Sequence, residues 1–412
     1  MSNRSILLGY EVGSGRAVHI PVRHMGVIGL TQISGKTTTL DGLIGRSGLR
    51  AVSFVTKRGE ASFGEEVCGR NGIFHIPAFF RPGCDWQAVT ALLEAHLGEK
   101  LSKNLRPYLM RACENHCSIA GSTIAEVKSS NKQSRDRQSL KSPGTVADVA
   151  CNLRQMEAAA DGKAESIACF TLAQYFATLL PELAKVPSSA TLTLQPGLNI
   201  MDLGGYGSAL QALVIGSTLD WISEHEDGVI TIIPEAWEFI PREGDTPCKQ
   251  AVIRMARKGG CLENFVWVDS QDLASIDTEV RKMLSVYLLG VQRERNEVIR
   301  TLNHIPANLR KPTARAIMEL NRGEFWAAFD QEMRCCYVQP PWLDDEPERA
   351  REYARYRRPA SFVAPRTAAL TAGSRSRRNK NKDISPSAHD GAGTGIADAI
   401  GPATEAISGR VQ

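Results

Sequence analysis

Apolar residues along this chain alternate between two periods. Short, nearly continuous apolar runs recur at Met25–Ile28, Arg50–Thr56, Leu198–Leu203, Gly228–Glu235, Asn264–Gln271 and Ser285–Gly290. Each is four to eight residues long, the length and pattern of a strand buried on both faces. Between them lie runs with helical spacing, at Thr38–Ile44, Ser208–Ser223, Ala251–Lys258 and Val280–Leu284. Strands alternating with helices predict an α/β fold with a mainly parallel sheet covered by helices on both faces.

The ends of the chain depart from this rhythm. Ile6–Val12 and Ala17–Val22 flank Gly13 and Gly15 and predict an N-terminal β-hairpin. Gly323–Phe329 and Cys335–Val338 predict a second hairpin, followed by a charged helix over Glu346–Arg358. A short strand is expected at Gly72–Ile76. From residue 84 the chain turns rich in Ala, Leu, Glu and Lys, with Trp86, Val89, Leu92, Leu93 and Leu97 at helical spacing, so a mostly helical insertion is expected. These shifts divide the chain into 1–83 (hairpin and first part of the core domain), 84–190 (insertion), 191–342 (remainder of the core domain), 343–358 (charged helix) and 359–412. The last segment is rich in Ala, Ser, Gly, Thr and Pro and carries a basic cluster, Arg375–Lys382, a composition expected to be disordered. Lys128–Lys141 inside the insertion is basic and polar, and reads as a loop suited to nucleic-acid phosphates or to plain solvation.

Composition narrows the class without naming it. The 412 residues are 42% hydrophobic and 23% charged, with a net charge of +4, so bulk charge points to no partner. No run of 18 apolar residues occurs and the start is polar, which predicts a cytoplasmic protein without a membrane segment. Ten cysteines show no C-x-x-C spacing, and free thiols are expected. Cys113 and Cys117 flank a His on a helical stretch and are read as helix residues rather than as a metal cluster.

Chemistry concentrates in Gly29-Leu-Thr-Gln-Ile-Ser-Gly-Lys-Thr37, which lies between a strand and a helix. That context makes it a phosphate-binding loop for ATP. Gly29, Thr31, Ser34, Gly35, Lys36, Thr37 and Thr38 are the candidate nucleotide contacts. Main-chain N–H groups at the helix start form an anion site, Lys36 reaches the β- and γ-phosphates, and the Thr37 hydroxyl can ligate Mg²⁺. The usual first glycine falls at Leu30, with Gly29 one place earlier, so the loop is either one residue longer or turns without glycine there.

Hydrolysis needs a second group at a neighbouring strand end. Glu235 closes the Gly228 run and is the candidate to orient water. Pro234 occupies the place of the usual magnesium-associated acid, so the metal would rest on Thr37, water and Glu235, with help from Asp202. Gln271 closes the Asn264 run as a γ-phosphate sensor, and Arg257, ahead of Arg254, is the candidate arginine finger, in cis or from a neighbouring subunit.

Taken in order, the hairpin with His24, the Gly29–Thr37 loop, Phe54–Gly59, Ile200–Leu203, Ile233–Pro241, Arg257–Gly260 and Asp269–Asp272 resemble the HerA/FtsK superfamily of P-loop ATPases, over roughly residues 6–340 apart from the helical insertion. Pro234, the long loop and Trp237 in place of His depart from its pattern. The resemblance implies an ATP-hydrolysing motor, a homo-oligomeric, hexameric ring with ATP at its subunit interfaces, and a central channel for double-stranded DNA. A nucleotide-dependent assembly or regulatory ATPase acting on a protein partner is the alternative. A small-molecule kinase fits less well, since it leaves Gln271 without a role.

Overall fold

In the computed structural model, residues 4–59, 72–80, 86–122, 146–187, 191–306 and 310–357 are described. The expected basic loop 128–141 and the tail from 359 lie outside them. Eleven strands form one sheet: β1 (Ser5–Glu11), β2 (Ala17–Pro21), β3 (Met25–Ile28), β4 (Arg50–Val55), β5 (Ile73–His75), β6 (Leu198–Asp202), β7 (Val229–Ile233), β8 (Phe265–Ser270), β9 (Val286–Leu289), β10 (Glu324–Phe329) and β11 (Glu332–Val338). Their order is β2-β1-β11-β10-β9-β3-β8-β7-β4-β6-β5.

Seven strands, from β9 to β5, are parallel, and the phosphate-loop strand β3 lies between β9 and β8. The two expected hairpins join each other through β1 and β11, and β10 adds antiparallel to β9. They extend the sheet at one edge. The C-terminal hairpin thereby places the turn before β10 beside the phosphate loop, and the Gly323 N–H donates to Ser34 O at 3.1 Å.

The parallel strands are apolar throughout because both faces are covered. One face packs on α1 (Lys36–Ser47) through Leu40, Leu43 and Ile44, together with the hairpin residues Leu8 and Ile20. The other face carries α2 (Trp86–Leu97), α3 (Arg106–Ser122), α4 (Val146–Ala158), α5 (Lys163–Leu183), α6 (Ser208–His225), the short α7 (Ala236–Phe239) and α8 (Pro247–Lys258). Val52 and Phe54 of β4 share this core with Leu92, Leu153 and Phe176, so the helical stretch packs with the sheet face. Cys113, in the stretch weighed as a metal cluster, lies on α3, and the described residues hold no cluster of metal-ligating side chains. No disulfide joins the cysteines described.

Helix α9 (Thr278–Met283) precedes β9, and α12 (Pro347–Tyr356) follows β11. Two helices were not expected from the sequence, α10 (Arg295–His304) and α11 (Ala314–Met318). Their apolar stripe is thin, Val298, Leu302 and Ile317. Helix α8 begins four residues earlier than its apolar run, because Thr246 accepts from the Lys249 N–H and Pro247 fits the first turn.

Candidate active site

Strand β3 ends at Ile28, and the chain then turns through Gly29–Gly35 into α1. Gly29 N–H donates to Ser270 O at 3.1 Å and Leu30 N–H to Val291 O at 3.0 Å, so the loop is tied to the ends of both flanking strands. Ser34 closes it: its N–H and hydroxyl both donate to Leu30 O, at 3.2 and 2.8 Å. The loop opens at Gly29, directly after β3. Gly29 does the close packing, since a Cβ there would meet Ser34 at 3.0 Å and the Gly290 Cα at 3.3 Å. Gly35 adopts a left-handed conformation (φ 84°) and caps α1 with no side-chain hydrogen bond. The first-turn N–H groups of α1 are thus left for an anion. Gln32 is also left-handed, at φ 63°.

Lys36 is 5% exposed and fully engaged. Its ammonium donates to Gly29 O at 2.8 Å and to Ser270 O at 3.3 Å, and it pairs with Asp269 at 2.9 Å. Thr31, Gly35, Thr37 and Thr38 line the same cleft, and Ser34 is buried in the loop wall behind it. The Thr31 hydroxyl is buried with no hydrogen-bond partner. A loop with a helix N-terminus, a lysine and an orphaned hydroxyl fits a polyphosphate, and the exposed Thr37, in a cleft also lined by Asp269 and Glu235, fits a hard cation such as Mg²⁺.

Glu235 lines the same cleft from just past β7. It is 7% exposed and holds a left-handed backbone at φ 43°, ψ 54°, an unfavourable conformation for a residue with a Cβ. Its carboxylate accepts from Lys57 Nζ at 2.5 Å and from Trp237 Nε1 at 2.9 Å. Burial pushes its pKa up. The Lys57 and Trp237 hydrogen bonds and the charges of Lys57 and Lys36 outweigh that and leave it below the ordinary glutamate value. Glu235 is therefore ionised at neutral pH.

Asp269, on β8, lines the same cleft, level with Pro234. Burial raises its pKa against the pull of Lys36. Sequence reasoning assigned no role to Asp269, Lys57 or Arg322, though all three belong to the site or touch its glutamate. Arg322, in the turn before β10, lines the cleft and is exposed. The signal for Asp269 was a charge inside an otherwise apolar strand, and for Lys57 a cation just past β4.

Other predicted residues lie elsewhere. Gln271 is exposed just past β8, outside the cleft lining, and its carbonyl accepts from Gln292 Nε2 at 3.0 Å. Arg257 pairs with Glu279, and Arg254 with Asp220 at 2.7 Å, so both are held on α8 by neighbouring helices. Asp202 accepts from the Gly204 N–H at 2.9 Å and closes its own turn.

No family model matches the sequence, and no curated protein matches it. Solved structures do. VirB4 of Thermoanaerobacter pseudethanolicus superposes with a TM-score of 0.59 at 15% identity, covering 82% of this chain and 97% of that one. The bacterial conjugative coupling protein TrwB superposes with a TM-score of 0.50 at 12% identity, over 82% and 93% of the two chains. TrwB in complex with ADP and Mg²⁺ gives 0.51 at 12% identity, over 82% and 90%. The likeness shows the fold: this chain shares the α/β architecture of VirB4 and TrwB.

Proposed function

We propose that this chain is an ATP hydrolase of HerA/FtsK type, a P-loop motor that works as a homo-oligomeric ring on double-stranded DNA. The observation that carries the hydrolase reading is that Lys36 and Glu235, from different strand ends, line one cleft. TrwB, a solved structure of the same fold, holds ADP and Mg²⁺. The ring and the DNA rest on the sequence resemblance and on the coupling role named for TrwB.

The residues divide the work. The first-turn N–H groups of α1 and the Lys36 ammonium bind the β- and γ-phosphates, which draws Lys36 away from Asp269. Thr37 and a nearby carboxylate would hold Mg²⁺, which when bound neutralises charge on the phosphate oxygens. Glu235, ionised and fixed by Trp237, accepts a hydrogen bond from the attacking water and aims it. For that, one of its oxygens must be released by Lys57. Arg257 would act as a finger on a neighbouring subunit's nucleotide, which requires its pair with Glu279 to open. Gln271 would sense the γ-phosphate from the end of β8.

A second reading has one observation in its favour. Glu235 is locked to Lys57, a half-exposed cation just past β4. A partner protein that displaces Lys57 would make hydrolysis conditional, as a regulatory or assembly ATPase requires. An ATPase assay with and without double-stranded DNA, on protein of known mass by light scattering, separates the two. The motor predicts an oligomer and DNA-stimulated turnover. A monomer indifferent to DNA would leave the regulatory reading.

A further inference from the structure

We infer that Asp269 carries the magnesium-associated carboxylate of this site, moved one strand over from the place that Pro234 occupies. The inference rests on the ATPase reading above and deepens it.

Register makes the case. Strands β7 and β8 pair at Ile233 and Val268, so one step further sets Pro234 level with Asp269. On its other side Asp269 pairs with Val27 of β3, two residues before Gly29. Parallel neighbours at one level point to the same face about 4.8 Å apart. A carboxylate on β8 therefore looks into the same cleft as one at position 234 would, but nearer to the phosphate loop. Asp269 lines that cleft with Thr37, and its side chain is 13% exposed.

Charge balance points the same way. Lys36 and Lys57 offset Asp269 and Glu235, each pair in contact. When phosphates take Lys36, Asp269 is left as a largely buried carboxylate without its counter-ion, a costly state. A divalent cation arriving with the nucleotide restores the balance at that spot. Glu235 keeps its own partners, Lys57 and Trp237, and has no such need. Asp202, closing its own turn, is outside the cleft lining.

The test is metal binding, read by Mn²⁺ electron paramagnetic resonance on the full chain with a non-hydrolysable ATP analogue. Asp269→Asn should weaken Mn²⁺ binding to the protein–nucleotide complex by about 10–100-fold, while analogue affinity in EDTA stays within about threefold. Glu235→Gln should leave Mn²⁺ affinity unchanged. The double variant Asp269→Asn with Pro234→Asp should recover it, because the acid returns to the adjacent strand. Should the asparagine not be accommodated, Asp269→Ser is read the same way. A role limited to holding Lys36 predicts equal changes with and without metal, and that result would overturn the inference. So would wild-type Mn²⁺ affinity in Asp269→Asn, with the ATPase reading left intact. A wild-type protein that binds no nucleotide overturns both.

Discussion

At the N-terminal end of the parallel strands, buried neutral side chains pin the backbone. His24 Nδ1 accepts from the Val266 N–H at 3.1 Å, and its carbonyl accepts from Ser285 at 3.0 Å. Asn264 accepts from the Val229 N–H at 3.1 Å and donates to Glu226 O at 2.6 Å. Asn199 bonds Ala51 O at 3.0 Å. At the C-terminal end of the same strands the polar groups are charged, and two residues there, Gln32 and Glu235, hold left-handed backbones. Glu263, before β8, is left-handed as well, so the contrast lies in charge: one end pins its main chain with neutral groups and the other gathers the Lys36–Asp269 and Lys57–Glu235 pairs at the cleft. The lesson is that stability and chemistry are separated along the strand axis, so each end should fail in its own way.

The largest effect belongs to the chemical end. Lys36→Ala removes the phosphate cation and should weaken ATP binding by at least about 100-fold, read by calorimetry. Wild-type affinity in that variant would break the comparison at once. Next comes the acid response of the opposite end. Burial lowers the His24 pKa from 6.5 to about 4. Between those values the unfolded chain binds a proton that the folded chain refuses. The His24 contribution is complete above pH 6.5 and is lost as pH falls toward 4, by roughly 3 kcal/mol. Urea midpoints across that range should show this slope, and His24→Gln should flatten it; an unchanged slope would remove His24 from the account.

A smaller loss is expected for Asn264→Ala, about 2 kcal/mol from the Val229 N–H and Glu226 O left unpaired, with ATP affinity unchanged. The smallest effect has the opposite sign. Glu235→Gly relieves the left-handed strain and should hold or raise stability by up to about 1 kcal/mol, by thermal melting, while hydrolysis is lost. A clear destabilisation would mean that the Lys57 and Trp237 bonds outweigh the strain.

Legibility in the sequence followed the same division. Local patterns carried the phosphate loop, because Gly35, Lys36 and Thr37 sit between an apolar strand and a helix within twenty residues. The strand end at Glu235 was visible for the same reason. The pairing of Lys36 with Asp269 was not, since it spans more than two hundred residues and exists only because β8 adds beside β3. Arg322 reaches the cleft only because β10 joins β9. Helix α10 was missed because its stretch, Arg295–His304, is mostly polar and shows only Val298 and Leu302 to the core.

The central claim is that Lys36 binds and Glu235 hydrolyses. It is tested most directly by Glu235→Gln, with nucleotide affinity and single-turnover ATP hydrolysis measured on the same protein. The account predicts affinity within about threefold of wild type and a rate lower by roughly 10²–10⁴-fold. Hydrolysis at the wild-type rate would contradict it.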